Sequence, residues 1–214
     1  MRRILLACIC ASLLSLPLSR ILYAERSWAD VYIQVAPSIG LLTTIDEEGG
    51  EGECSVFSID AARQLFMSAD HCFNPTLAVN GMKAWVVYRD TPHDFMVVQS
   101  FGVHARALKL APHAPRTGDE IAAIGHAGSI PGLSIRIGRV QLPDTLVTLR
   151  VSMTDTVEDH FMVVDFRAQQ GMSGGPVVNR RGEVVSIIQI GYPEIGFGRP
   201  LTALRSTAPY WEGY

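Results

Sequence analysis

A serine flanked by glycines stands out at residues 171–176, which read G-M-S-G-G-P. Glycine permits positive φ and lets another chain approach closely. A tight Gly-x-Ser turn can therefore aim backbone N–H groups at one point beside the Ser173 hydroxyl, where they would stabilise an oxyanion. Losing one such donor costs about 3–4 kcal/mol of transition-state stabilisation. The same pattern also fits a glycine-rich turn with an incidental serine, or the nucleophile elbow of an α/β-hydrolase esterase.

The order of the histidines separates two of these interpretations. In an α/β-hydrolase the histidine follows the serine along the chain. All six histidines here precede Ser173, so the order Ser, Asp, His is impossible, whereas the order His, Asp, Ser stays open. The six are His71, His93, His104, His113, His126 and His160.

Two residues are the best candidates to act with Ser173. His71 follows an apolar run and precedes Cys72, so that a disulfide would fix the loop carrying a general base. Asp94 opens the apolar run 95–98, where a carboxylate can orient a histidine tautomer. Asp70 is disfavoured as the partner of His71, because adjacent strand residues point to opposite faces. Asp90 is interpreted as a turn residue.

Composition indicates a protein of many short strands. The chain has 214 residues, 48% of them hydrophobic, with 19 glycines and 12 prolines. This length can bury one sizeable core or two small barrels. The net charge is −3 with both signs interspersed, so no nucleic-acid binding is expected.

The N-terminus has the pattern of a signal peptide over residues 1–24. Arg2 and Arg3 precede an apolar run over 4–18 that is too short for a membrane span, and cleavage is expected after Ala24. The competing interpretation is an uncleaved signal anchor. With cleavage, we expect a secreted or periplasmic protein with no stable membrane span.

Removal of the signal also removes Cys8 and Cys10, which leaves Cys54 and Cys72 as an even pair in an exported chain. They are expected to form a disulfide that contributes about 3 kcal/mol on the chain-entropy model. The alternative is two buried free thiols. No metal site is expected, because two isolated cysteines lack a second pair of ligands.

Apolar runs at short intervals predict an all-β fold with about six strands in each half. A Pro-containing linker at 111–115 separates the halves, and Asn80-Gly81 is a strong hairpin signal. A short helix is possible near 202–206. The predicted strands cover 39–45, 54–59, 65–69, 77–79, 82–88, 95–99, 120–124, 133–142, 146–153, 161–166, 177–178, 183–190 and 200–204.

Three segments resemble the trypsin/chymotrypsin-like serine proteases. S-A-D-H-C at 68–72 is similar to their T-A-A-H-C box, H-D-F-M-V-V at 93–98 to D-[IL]-A-[VL]-L, and G-M-S-G-G-P to G-[DN]-S-G-G-P. The second half is nearest the HtrA (Do-like) branch. The segments that carry this likeness are 118–125, 164–166, 182–187 and 196–200.

The resemblance implies two six-stranded antiparallel β-barrels within residues 25–214, the first over about 30–110 and the second over about 116–205. The active site would lie in the cleft between them. It implies His71 and Asp94 from the first barrel, Ser173 from the second, and the N–H groups of Gly171 and Ser173 as the oxyanion hole. The Cys54–Cys72 pair matches a disulfide of the trypsin branch.

The resemblance also places Arg167, six residues before Ser173, in the primary specificity pocket together with Ile190. An inward guanidinium would select Glu or Asp before the scissile bond. An outward one would leave a small apolar pocket, as in HtrA-like relatives.

The sequence departs from the family at Asp70, at Met172 and in the short His71-to-Asp94 spacing, and no PDZ domain is expected after the second barrel. The resulting prediction is a serine endopeptidase acting on protein or peptide substrates without a cofactor. A catalytically inactive binding protein on the same fold is the alternative.

Overall fold

Two closed six-stranded antiparallel barrels form the bulk of this protein. The computed structural model describes residues 26–128, 130–150, 156–191 and 194–212. The predicted signal peptide over 1–24, with Cys8 and Cys10, lies outside these residues. The predicted all-β, two-barrel fold is confirmed, and it excludes the α/β-hydrolase interpretation.

The first barrel is closed in the order β1-β2-β3-β6-β5-β4. Asn80 and Gly81 form the tight turn between β4 and β5 with φ values of 50° and 79°, as a type I′ hairpin turn requires. The Asn80 side-chain oxygen accepts a hydrogen bond from the Leu41 N–H at 2.8 Å, which ties this hairpin to the first strand. The strands are β1 (Ile39–Ile45), β2 (Glu51–Asp60), β3 (Leu65–Ser68), β4 (Thr76–Val79), β5 (Met82–Asp90) and β6 (Phe95–Gln99).

The second barrel is closed in the order β10-β11-β12-β9-β8-β7. Its strands are β7 (Glu120–His126), β8 (Leu133–Arg150), β9 (Thr156–Val164), β10 (Pro176–Val178), β11 (Val184–Gly191) and β12 (Gly196–Pro200).

Two strand predictions in this half were wrong. The predicted strands 133–142 and 146–153 are one strand, β8, as far as the described residues reach; 151–153 lie outside them. Pro143 falls within a bulge between Leu142 and Thr145, where proline is tolerated without ending the strand. The strand predicted at 200–204 is instead β12, which ends at Pro200 because helix α2 (Leu201–Glu212) begins at the next residue.

A short N-terminal helix, α1 (Trp28–Val35), was not predicted from the sequence. The Ser27 hydroxyl caps it by accepting a hydrogen bond from the Asp30 N–H at 3.1 Å. Of the eight residues in this helix, only Val31 and Val35 are buried. Two buried positions are too few to show helical periodicity in the sequence. At the helix start, the Arg180 guanidinium lies 4.3 Å from the centre of the Trp28 ring.

One apolar cluster joins α1 to both barrels. Phe57, Met67 and Phe95 contribute to it from the first barrel, and Ile124 and Ile187 from the second. Burial in a shared core is what fixes the barrels against each other, because dense packing leaves few alternative arrangements.

None of the helices in the described part of the chain is long and apolar enough to cross a membrane.

The packing of α1 predicts that Val35 and Ile33 differ sharply in their contribution to stability. Val35 is fully buried, whereas Ile33 on the same helix is 70% exposed. Val35→Ala should lower the free energy of unfolding by about 2 kcal/mol through lost burial and a residual cavity. Ile33→Ala is the matched control, since it makes a similar gain in helix propensity, and should stay within about 0.5 kcal/mol. Urea-induced unfolding measures both, and equal effects would contradict the packing.

Candidate active site

His71 lies in a single 3-10 turn, Asp70–Cys72, directly after β3. The turn is held from one side by the disulfide between Cys72 and Cys54 of β2, whose Cα atoms are 6.3 Å apart. From the other side, the buried Asp70 carboxylate accepts hydrogen bonds from Nε and an Nη of Arg89 at 2.6 and 2.9 Å. The loop carrying His71 is therefore anchored on both flanks.

Asp70 is kept from acting on His71 by this pairing with Arg89. The reason differs from the predicted strand alternation, because the two residues occupy a 3-10 turn. Hydrogen bonding to Asp70 raises the pKa of Arg89 above its usual value. The guanidinium also lies 3.8 Å from the centre of the Phe73 ring. The negative charge of Asp70, next to His71, is thus balanced by the bidentate Arg89 guanidinium.

The Asp94 carboxylate contacts both the backbone N–H and the ring of His71. Its Oδ1 accepts from the His71 N–H at 2.7 Å, and its Oδ2 lies 2.8 Å from Nδ1. Because a carboxylate only accepts, this contact places the imidazole proton on Nδ1 and leaves Nε2 as the acceptor. Asp94 adopts φ of 53°, a left-handed conformation that aspartate tolerates better than most residues.

Gln189 of β11 supports this strained residue from the second barrel. Its side-chain N–H₂ group donates to the carbonyl oxygens of His93 and Asp94, both at 2.8 Å. Its backbone carbonyl accepts from the Ser173 hydroxyl at 3.3 Å. Gln189 is buried, and its Oε1 has no hydrogen-bond partner within the described residues. The sequence signal was a long polar side chain inside the mostly apolar run of β11, which also contains Ser186.

The loop around Ser173 turns its carbonyl groups inward. Five consecutive carbonyl oxygens each accept a hydrogen bond: Gln169 from Met172 N, Gln170 from Gly128 N, Gly171 from Ser55 Oγ, Met172 from Gly175 N and Ser173 from Ser55 N. Gly171 has φ of 89°, and a Cβ there would lie 2.8 Å from the Gly128 nitrogen. The glycine is therefore required both for conformation and for space.

The amide groups of Gly171 and Ser173 behave differently from these carbonyls. Within residues 26–128, 130–150, 156–191 and 194–212, neither N–H donates to a protein acceptor. Two backbone donors beside a serine hydroxyl form an arrangement that can bind an oxyanion.

The Ser173 hydroxyl donates to Gln189 rather than to His71, and the hydrogen bonds of the described residues include none between Ser173 and His71. The two residues are linked indirectly, since the Ser55 N–H bonds the Ser173 carbonyl oxygen at 2.8 Å and Ser55 follows Cys54 of the disulfide. A hydrogen bond between a catalytic serine and its histidine often forms only when substrate is bound.

His93 and His126, two of the other histidines, have different surroundings from His71. His93 Nδ1 lies 2.8 Å from Asp90 Oδ1, which also accepts the His93 N–H, so Asp90 is the turn residue that was predicted. Burial lowers the pKa of His126, so its ring is neutral near pH 7.

Arg167 and Ile190, predicted to share a specificity pocket, line different cavities. Arg167 is exposed and borders a cavity of about 530 Å³ with Glu51, Glu53 and Gly171. Ile190 borders a cavity of about 770 Å³ that also contains His71 and Asp94. The structure thus brings Ile190, but not Arg167, beside the His71–Asp94 pair.

Comparison with known proteins places this geometry in a family. The family model for a trypsin-like peptidase domain matches residues 52–187, a range that contains His71, Asp94 and Ser173. The chain belongs to the trypsin-like peptidase family.

The relatives of this trypsin-like peptidase include two fungal proteins. It is 29% identical over 179 residues to the PDZ domain-containing protein C23G3.12c of Schizosaccharomyces pombe, covering 74% of this chain and 18% of that one. It is 30% identical over 174 residues to the pro-apoptotic serine protease NMA111 of Scheffersomyces stipitis, covering 72% and 18%. The chain thus spans under a fifth of the length of these relatives.

Solved structures of proteases share the fold. The active form of the Rv3671c protease from M. tuberculosis superimposes with a TM-score of 0.73 at 17% identity, covering 84% of this chain and 82% of that one. A serine-to-alanine variant of the HtrA-type protease AlgW, solved with a tripeptide, gives 0.70 at 21% identity, covering 86% and 62%. The predicted resemblance to trypsin-like proteases near the HtrA branch is confirmed.

Cys54, His71 and Cys72 of the trypsin-like peptidase place potential metal-ligand atoms within 4.8 Å of one another. The two sulfur atoms are bonded to each other, so neither is a thiolate ligand in this form.

The disulfide that anchors the His71 turn predicts a specific chemical result. Protein starting at Glu25 and purified from an oxidising compartment should gain no alkyl groups when treated with iodoacetamide after unfolding, and two after reduction. Reduction should lower the melting temperature by about 10 °C, given about 3 kcal/mol for a loop of this size. Intact mass and calorimetry measure the two effects. Two alkylated cysteines without reductant would contradict the bond.

Proposed function

We propose that this chain is a serine endopeptidase that hydrolyses peptide bonds through Ser173, His71 and Asp94. The observation that carries the proposal is the Asp94 carboxylate on His71 Nδ1, since it orients Nε2 as a base. Membership of the trypsin-like peptidase family supports the reaction class. The amides of Gly171 and Ser173, which have no acceptor among the described residues, support an oxyanion hole.

In the proposed reaction, the Ser173 hydroxyl turns from the Gln189 carbonyl towards His71 and attacks the peptide carbonyl carbon. His71 Nε2 takes the hydroxyl proton, and the N–H groups of Gly171 and Ser173 bind the oxygen that becomes negative. His71 then gives the proton to the leaving amine. Water, activated by the same histidine, hydrolyses the acyl-enzyme. Asp94 stays ionised and stabilises the imidazolium.

Export belongs to the same proposal. The predicted signal peptide over 1–24 and the Cys54–Cys72 disulfide both support an oxidising compartment, either the periplasm or the outside of the cell. Protein or peptide substrates would then be met outside the cytoplasm.

The alternative is a catalytically inactive binding protein on the same fold. In that case the Ser173 hydroxyl would keep its hydrogen bond to the Gln189 carbonyl oxygen and would not act as a nucleophile. A fluorophosphonate probe separates the two functions, because it labels only a serine that is activated as a nucleophile. Labelling that requires Ser173 supports the peptidase, and its absence in folded protein supports the alternative.

Substitution of the three proposed catalytic residues should remove hydrolysis of unfolded casein. Ser173→Ala and His71→Ala should each lower kcat by about 10⁴-fold or more, and Asp94→Asn by about 10⁴-fold because the wrong tautomer would be favoured. Asp90→Asn is the matched control, since it makes the same change next to His93 and should keep near-normal activity. Full activity in His71→Ala would contradict the proposed role of His71 in a catalytic triad.

We propose that the primary pocket accepts small apolar residues. The outward, exposed position of Arg167 supports this, as does the closeness of Gly191 to Ala168, where a Cβ on Gly191 would clash with the Ala168 carbonyl oxygen. A narrow slot without an inward charge favours residues such as Ala or Val.

A proteome-derived peptide library should therefore yield cuts mainly after Val, Ala or Leu, with the same profile for Arg167→Ala. Mass spectrometry of the products gives both profiles. Cuts after Glu or Asp that disappear in Arg167→Ala would instead place the guanidinium in the pocket.

A further inference from the structure

Ser55 of β2 binds both residues of the proposed oxyanion hole. Its N–H donates to the Ser173 carbonyl oxygen and its hydroxyl donates to the Gly171 carbonyl oxygen, each at 2.8 Å. Ser55 is fully buried, at 0% exposure. It belongs to the first barrel, whereas Gly171 and Ser173 belong to the second. No motif in the sequence marks Ser55.

The direction of the Ser55 hydroxyl is fixed by a third contact. Its oxygen accepts a hydrogen bond from the His126 N–H at 2.8 Å. A hydroxyl has one proton to donate, so with this acceptor position filled the proton is committed to Gly171. The Ser55 carbonyl oxygen is bound by the Ser68 hydroxyl at 2.8 Å. Every polar atom of Ser55 is therefore paired.

The space for this side chain is left by two glycines. A Cβ at Gly125 would lie 2.7 Å from Ser55 Oγ, and one at Gly175 would lie 3.3 Å from Ser55 Cβ. The hydroxyl thus occupies a closely fitted site between β7 and the Ser173 loop, and removing it leaves the Gly171 carbonyl oxygen without its hydrogen-bond donor.

The two hydrogen bonds from Ser55 restrain two peptide units of the Ser173 loop, and a third peptide unit lies between these two. The Gly171 carbonyl belongs to the peptide unit 171–172, and the Ser173 carbonyl belongs to the unit 173–174. Between them lies the unit 172–173, which carries the Ser173 N–H. Gly171 has no Cβ to restrict rotation of its peptide units, so a hydrogen bond to its carbonyl is an effective restraint.

We propose that Ser55 is a positioning residue that keeps the N–H groups of Gly171 and Ser173 directed at the developing oxyanion. The inference rests on the proposed peptidase function. It concerns the transition state, because an oxyanion hole contributes little to binding of the uncharged substrate carbonyl.

The test compares Ser55→Ala with two reference variants. Ser58→Ala is the matched control, since Ser58 is also on β2 and fully buried but its hydroxyl has no partner within the described residues. Ser55→Gly also removes the hydroxyl, and it serves as a second deletion if Ser55→Ala does not fold.

Ser55→Ala should lower kcat for a peptide substrate by about 10- to 100-fold, less than the loss of a whole donor, with KM changed by less than about twofold. The inhibition constant of a peptide boronate, which forms a tetrahedral anion on the serine, should rise by the same factor. Ser58→Ala should keep the activity of the wild-type protein. Urea unfolding establishes that each variant is folded under assay conditions.

Unchanged kcat and boronate affinity in folded Ser55→Ala or Ser55→Gly, with active wild-type protein, would overturn the role of Ser55 alone. A loss of the same size in Ser58→Ala would also overturn it, since general packing would then explain the effect. Wild-type protein that neither cleaves peptides nor reacts with fluorophosphonate would overturn the proposed function and this inference together.

Discussion

The arrangement of the site depends on one apolar core that is shared by the two barrels. Phe57, Met67 and Phe95 of the first barrel meet Ile124 and Ile187 of the second within it, and helix α1 closes it. No single strand carries the whole site: His71 and Asp94 follow or precede strands of the first barrel, and Ser173 lies in a loop of the second. Burial of this interface is therefore the condition for holding the loops that carry the three residues in a fixed arrangement.

Hydrophobic burial has no direction, so polar contacts across the interface must set the finer alignment. In the part of the chain that the structure describes, Ser55 and Gln189 make such contacts. Ser55 extends from the first barrel to the Gly171 and Ser173 carbonyl groups, and Gln189 extends from the second barrel to the His93 and Asp94 carbonyl groups. Each residue holds a loop of the opposite barrel, and the two sets of contacts flank the cleft. The Arg89–Asp70 pair and the disulfide then fix the His71 turn within its own barrel.

The sequence predicted those features that local chemistry determines. The Asn80-Gly81 turn, the six-plus-six strands and the pairing of Cys54 with Cys72 each follow from short patterns. Helix α1 was missed because eight residues show too little periodicity. The length of β8 was missed because Pro143 signals a break unless a bulge receives it. The roles of Ser55 and Gln189 depend on partners more than 90 residues away along the chain, which no window of sequence contains.

The fit of Ser55 between Gly125 and Gly175 has a consequence for how such a protein can change over time. Ser55 is encoded in the first half of the chain and Gly125 in the second, and a Cβ at Gly125 would lie 2.7 Å from the Ser55 hydroxyl oxygen. The two barrels have equal numbers of strands and separate closures, as interchangeable modules would. A chimera that joins this first barrel to a second barrel with alanine at position 125 would nevertheless place a methyl group against the serine. Inheritance of the two halves is thereby linked, and recombination between them is constrained at a point away from Ser173 itself.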